Sequence, residues 1–341
     1  MKKLLALWAK HERIAAALFF LFLLVFPVFF HSYYIRNIAV LCILYSMLSL
    51  SLNLIMGYTG IAVLGMAAFY GIGAYTFAIL STRLGFTYIP AALCAFLMAF
   101  LAGVLISIPS MRISGNYLAI VTLGFCEIVR IIELNWVSLT GGPFGIKSIP
   151  APVIFGVKLG NPLKKYYLGV ALLLITVLAI SSMINSRLGR AWKSIKGDAI
   201  AAQAMGVNIF KYKTLAFAFT AAFAGLAGAF FASYIGYIDS TNFNYNQSIQ
   251  ILSMTIMGGL GSIPGSIVGA IFFMVLPEFL RWLGTIWGEW VVQWRQILYG
   301  LILVLMIMFK PDGILGGFDL RQIRLFNSLG TQPGDKEADH A

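Results

Sequence analysis

Three ionisable residues stand inside one apolar run, LGFCEIVRIIE: Glu127, Arg130 and Glu133. Spaced three apart, they share a helix face and can neutralise one another. A charge at the centre of a bilayer costs at least ~2.5–3.5 kcal/mol, so such groups face a bundle interior or an aqueous cavity. Two readings follow. The triad lines a polar path for a zwitterionic solute, or it is a structural ion pair near the outer end of its helix, where charge is cheap. Asn53, mid-apolar in LSLNLIMG, is a second polar candidate for a path. Glu278 and Arg281, again three apart, read as an interfacial pair.

Bond-making chemistry has no foothold. No G-x-x-x-x-G-K-[ST] loop is present to cradle ATP phosphates. No intramembrane His/Asp/Glu constellation points to a metal or a protease, and no Arg ladder to a voltage sensor. Cys42, Cys94 and Cys126 lie in apolar runs, and His11, His31 and His340 fall at or near segment ends. That is neither a disulfide framework nor a ligand cluster. No catalytic residue, metal or cofactor is expected. An ion-coupled transporter working alone should carry an acid deep in a span. None is clear, because Glu127 is already matched by Arg130.

The elements that must hold these residues are membrane spans. Of the 341 residues, 60% are hydrophobic and 11% charged, against roughly 45–50% and about 25% in a soluble domain. The mean hydropathy is +0.89. Apolar runs near the ~20 residues that cross a bilayer recur along the chain. The fold class is therefore all-α, a polytopic membrane protein with about ten segments. They are 14–30, 35–56, 61–80, 88–108, 115–134, 166–184, 214–236, 247–260, 264–283 and 290–309. Residues 1–320 form one transmembrane domain, followed by a polar tail, 321–341. The basic start and apolar 14–30 resemble a signal peptide. No small-residue cleavage pattern follows, so a retained first span is expected. The net charge of +12 marks cytoplasmic loops rather than a nucleic-acid partner. With ten spans the N-terminal tail, the loop after the sixth span and the C-terminal tail all lie on the cytoplasmic side. Loop 135–165, with four lysines, then lies outside.

Two segments are not clean helices. Residues 57–73 read GYTGIAVLGMAAFYGIG, and residues 258–269 read GGLGSIPGSIVG. Gly and Pro interrupt the helical ladder, and non-helical backbone at membrane depth survives only where protein or water satisfies it. Transporters place such breaks along the substrate path. Asn53, Gly57, Tyr58, Gly60, Gly258, Gly259 and Gly261, with Glu127 and Arg130, are the candidate path residues. Close helix packing explains the glycines of the breaks equally well. It explains the Gly261/Gly265/Gly269 triplet better, and it suffices for Ala221, Gly225 and Ala229. IMGYTG (55–60) and IMGGLG (256–261) share four positions, a hint of duplication.

One stretch departs from the rest of the chain: SRLGRAWKSIKGDAIAAQAMGVNIFKYK, residues 186–213, with six basic residues and one acid. Within it Asp198 is a good N-cap and Gly206 a good stop, with seven helix formers, Ala199 to Met205, between them. A helix this short is marginal alone, so it must pack on something. Its small side chains suit a groove. The flanking cations suit lipid phosphates or an acidic partner.

The chain resembles the permease subunits, of the M type, of ATP-binding-cassette importers for branched-chain amino acids. The resemblance rests on NLIMGYTGIAVLGMAAFYGIGAY (53–75), RISGNYLAIVTLGF (112–125), LTGGPFGI (139–146), SRLGRAWKSIKGDAIAAQAMGVN (186–208) and GGLGSIPGSIVGA (258–270). It implies that 186–213 carries the coupling helix that docks into a groove of an ATPase subunit. In the importer pattern E-A-A-x-x-x-G, Ala201, Ala202 and Gly206 match, while Ile200 stands in place of the acid. Asp198, two residues earlier, is the one acid available, and Met205 completes the set. The family further implies ATPase subunits, a second permease, an external binding protein and a place in the bacterial inner membrane. The implied cargo is leucine, isoleucine and valine. Close relatives carry urea, short amides or other amino acids.

Overall fold

The computed structural model describes residues 19–21, 23–27, 32–110, 113, 115–154 and 156–287, with 300, 301, 304, 308, 313 and 314 near the C-terminus. Most of the expected segments 14–30 and 290–309 lies outside the described residues. So do the basic N-terminus and the tail 321–341.

Helices dominate. α1 runs Tyr33–Thr59, α2 Met66–Arg83, α3 Tyr88–Ser110 and α4 Asn116–Asn135, with a single turn, α5, at Val137–Thr140. A two-residue hairpin, β1 (Val153–Ile154) and β2 (Val157–Lys158), follows. Then come α6 (Pro162–Asn185), α7 (Arg187–Gly197), α8 (Ala199–Ala204), α9 (Ile209–Ile235), α10 (Tyr245–Gly258) and α11 (Ile263–Trp287). Among the described residues, α1, α3, α6, α9 and the Ile263–Arg281 part of α11 are long and apolar enough to cross a membrane. α10 has 14 residues, about 21 Å at 1.5 Å per residue, and is short of a ~30 Å hydrocarbon core. The expected segment 61–80 begins as a helix only at Met66. Residues 60–65 are neither helix nor strand.

α1 and α9 form the centre. Their apolar windows are 72% and 78% buried, against 33–39% for α3, α6 and α11, whose outer faces carry exposed Leu97, Leu101, Ile175 and Phe279. α9 reaches the centre because its contact residues are small, so backbones approach closely. A Cβ on Gly73 of α2 would overlap the Gly225 backbone, and one on Gly228 would overlap the Tyr70 carbonyl. Ala221 and Ala229 are fully buried in the same ridge. α1 carries buried polar groups that close on nearby partners. Ser46 and Ser51 donate to the carbonyls of Cys42 and Leu48, and the Ser49 and Thr255 hydroxyls pair at 3.1 Å.

Candidate functional site: the basic loop and the two helix breaks

The basic stretch folds as two short helices, α7 and α8, and the first turn of α9. Ser186 caps α7 by accepting from the Leu188 amide at 3.1 Å. α7 is amphipathic: Ala191, Trp192 and Ile195 are buried, and the Trp192 indole donates to the Tyr212 carbonyl at 2.8 Å. Arg187, Arg190, Lys193 and Lys196 stand on its exposed side. Asp198 closes α7 and opens α8. Its amide donates to the Ser194 carbonyl at 3.1 Å, and its carboxylate accepts from the amides of Ile200 at 2.8 Å and Ala201 at 3.1 Å. α8 ends where Gly206 adopts φ 84°, the left-handed conformation that glycine enters without a steric cost.

The six residues of α8 and its C-cap, Met205, turn one side inward and offer the other. Ala202 is 5% exposed, while Ile200 is 82% and Met205 85% exposed. Ala201 is exposed as well. Two large apolar side chains thus stand exposed at the rim of a basic loop.

The two helix breaks meet each other directly. The Asn53 side-chain oxygen accepts the Gly261 amide at 2.8 Å. Its Nδ2 donates to the Ser262 carbonyl at 2.9 Å and to the Ser266 hydroxyl at 2.6 Å. The Tyr58 hydroxyl donates to the Gly261 carbonyl at 2.7 Å. A Cβ on Gly57 would fall on Asn53 Oδ1 and the Gly261 amide. Gly258 and Gly265 pack backbone to backbone, and Gly259 lies under Gly313. Asn53, Gly57, Tyr58, Gly258, Gly259 and Gly261, six of the candidate path residues, are thus gathered at one contact. Asn53 is 1% exposed and Tyr58 7%, and the hydrogen-bonding capacity of Asn53 is spent on α11 and the turn before it. They clamp the breaks together rather than face open space.

The basic loop reaches this clamp. Lys196 Nζ donates to the Gly57 carbonyl at 2.7 Å. Its stem covers Gly60, where a Cβ would stand 3.3 Å from Lys196 Cγ. Lys193 Nζ lies 5.9 Å from the centre of the Tyr58 ring. The sequence pattern did not reveal this link. Lys193 and Lys196 read as topology charges, and only the fold brings them to residues more than a hundred positions away.

The charged triad divides. Arg130 Nε bonds Glu127 Oε2 at 2.8 Å, with both side chains about one-third exposed. Glu133 does not join them. It is 4% exposed, lies against Gly71 of α2 and Phe243, and neither of its carboxylate oxygens has a hydrogen-bond partner among the described residues. Three-residue steps drift by about 60° each on a helix of 3.6 residues per turn, which leaves Glu133 about 120° around from Glu127. Glu278 and Arg281 do pair, at 3.5 Å, and Arg281 also donates to the Tyr34 hydroxyl at 2.8 Å.

At the opposite end of the bundle the 139–146 turn is tied inward. Thr140 Oγ1 donates to the Glu133 carbonyl at 2.6 Å, and Ile146 bridges Ile238. Trp136, Val137 and Phe144 are left exposed.

A family described as "Branched-chain amino acid transport system / permease component" matches residues 34–307 of the chain. The chain belongs to this family. It is 35% identical over 302 residues to the high-affinity branched-chain amino acid transport system permease protein LivM of Escherichia coli (strain K12). That match covers 82% of this chain and 69% of the relative. The LivM of Salmonella typhimurium is 34% identical over the same shares. The autoinducer 2 import system permease protein LsrC of Enterobacter sp. (strain 638) is 26% identical over 229 residues, 65% of this chain and 62% of the relative. No solved structure matches. The permease is thus a polytopic helical membrane protein of an importer family, and its matched region includes both helix breaks and the whole basic loop.

Proposed function

We propose that this permease subunit carries leucine, isoleucine and valine inward across the bacterial inner membrane, driven by ATP that separate subunits hydrolyse. The observation that carries the reading is α8: a capped helix that presents Ile200 and Met205 outward from a cationic loop. An ATPase groove supplies the packing that so short a helix lacks. Asp198 spends its carboxylate on the cap, so contact with the ATPase is mainly apolar here, in keeping with Ile200 at the place of the usual acid.

The basic loop marks the cytoplasmic end, and both termini belong on that side. The opposite end, with exposed Trp136, Val137 and Phe144, is the surface for an external binding protein that delivers the amino acid. A second permease subunit completes the translocation path, which runs between the two chains. The partly exposed Glu127–Arg130 pair borders it. Asn53, Gly57, Tyr58, Gly258, Gly259 and Gly261 act behind its wall, as a clamp that shifts when access alternates. The bilayer supplies the remaining partner: anionic headgroups beside Arg187 and Arg190.

The test is reconstitution of the permease pair with its ATPases and binding protein in liposomes. ATP-dependent accumulation of labelled leucine, with competition by isoleucine and valine, is the expected result. Accumulation of urea, a short amide or another amino acid instead would move the cargo assignment while keeping the transporter class. Leucine uptake by the permease alone, driven by an ion gradient, would overturn the class.

A further inference from the structure

We infer that Lys196 is the positioning residue that passes movement of the α8 docking helix to the contact between the two helix breaks. This rests on the reading of α8 as the ATPase contact.

The geometry has three joints. First, α7 and α8 share Asp198, whose amide closes one helix while its carboxylate opens the other. No flexible linker separates them, so a displacement of α8 carries the end of α7 with it. Second, the end of α7 is fixed to the end of α1 through the 2.7 Å bond from Lys196 Nζ to the Gly57 carbonyl. That carbonyl is among the last four of α1, which lack partners within their own helix, and a cation is favoured at a helix C-terminus. The Lys196 stem also lies over Gly60, so the bond is backed by a packing contact. Third, the end of α1 is fixed to the second break. Tyr58, next to Gly57, donates to the Gly261 carbonyl at 2.7 Å, and Asn53, one turn earlier, takes the Gly261 amide at 2.8 Å. Both hydrogen-bonding groups of the Gly261 backbone are therefore held by the turn of α1 that Lys196 grips.

A charge that only marks topology needs no particular acceptor. Lys196 has one, on the residue whose missing Cβ allows the breaks to touch. Lys193, one turn earlier, places its ammonium 5.9 Å from the Tyr58 ring, a second attachment to the same turn. The arrangement makes the α1–α11 contact respond to α8 and leaves the rest of the bundle, held by the small-residue packing of α9, as a fixed frame.

The experiment uses the assembled transporter in liposomes and compares wild type, Lys196→Met and Lys196→Arg. Three quantities are read: co-purification of the ATPase, ATP hydrolysis with loaded binding protein, and leucine taken up per ATP. Loss of one charge-assisted hydrogen bond is expected to lower uptake per ATP on the order of tenfold, with ATPase binding and hydrolysis retained. Lys196→Arg, which keeps a cationic donor, should restore the ratio. A purely structural role would lower all three quantities together. An unchanged ratio in Lys196→Met, or a Lys196→Arg no better than Lys196→Met, overturns the inference. If Lys196→Met does not assemble, Tyr58→Phe removes only the hydroxyl to Gly261 and carries the same readout, and an unchanged ratio there overturns it equally. Absence of any ATPase on the wild-type chain would instead overturn the reading of α8, a result separate from a failed ratio.

Discussion

Asn53 is bonded to two successive residues of the second helix break, taking the Gly261 amide at 2.8 Å and giving its own N–H to the Ser262 carbonyl at 2.9 Å. A single buried carboxamide thus substitutes for the backbone ladder that α10 and α11 cannot continue through the glycines. Asn53→Leu leaves that backbone without partners in an apolar interior. An unsatisfied buried polar group costs about 1–3 kcal/mol, so thermal unfolding in detergent should fall markedly and uptake with it. Equal stability of wild type and Asn53→Leu would show that water replaces the carboxamide.

Gly57→Ala tests the same contact from the other side. The added methyl would fall on Asn53 Oδ1 and the Gly261 amide, and overpacking of this kind costs about 1–3 kcal/mol. Differential scanning of the purified chain is the measurement. Gly197→Ala, at a position with open space around it, is the matched control and should leave the transition unmoved.

The docking helix is best probed at its exposed residues. Ile200→Lys and Met205→Glu place a charge in solvent, where neither crowds the permease's own chain, so both should abolish ATPase co-purification while the permease unfolds at the wild-type temperature. Ala202→Glu forces a carboxylate into a buried position and should also lower stability. If either exposed variant still retains the ATPase, α8 is not the docking element.

Asp198 should matter through its cap. Asp198→Ala removes the acceptor for two amides, an effect of about 0.5–2 kcal/mol, and frays α8. Asp198→Asn keeps the acceptor and should restore uptake to near wild type. Asn failing where Asp succeeds would assign the residue a charge contact with the partner.

Gly71 gives room to a carboxylate. A Cβ there would stand 2.5 Å from Glu133 Oε1 and 3.0 Å from the Phe243 ring. Gly71→Ala should therefore displace Glu133 and loosen α2 from α4, read as faster amide exchange in Met66–Arg83. Wild-type exchange in that helix would show that Glu133 turns away without cost.

Much of the architecture was legible because bilayer thickness acts on composition. The long apolar runs became α1, α3, α6, α9 and the apolar part of α11, and the Gly-rich interruptions became real breaks. Asp198 and Gly206 punctuated α8 as local chemistry requires. Three things were not legible. That Asn53 is buried against the second break depends on α11, some two hundred residues away. Which of its two flanking acids Arg130 pairs with depends on what packs against α4, since each stands about 60° from it, and a three-residue spacing does not contain that. The role of Lys196 depends on where α7 lands, and no local pattern contains that.

The non-helical stretch 60–65 has a consequence for how the chain is made. Leu64 gives its amide to Thr122 Oγ1 at 2.9 Å, across 58 residues of sequence, and Gly60 lies beneath a lysine made still later. At about 5–20 residues per second of synthesis, Thr122 emerges several seconds after Leu64. Until then the Leu64 amide lacks its native partner, and hydrocarbon offers none. The native hydrogen bonding of 60–65 is therefore completed only after α4 has been made, so this stretch reaches its final form later than the helices on either side of it can fold.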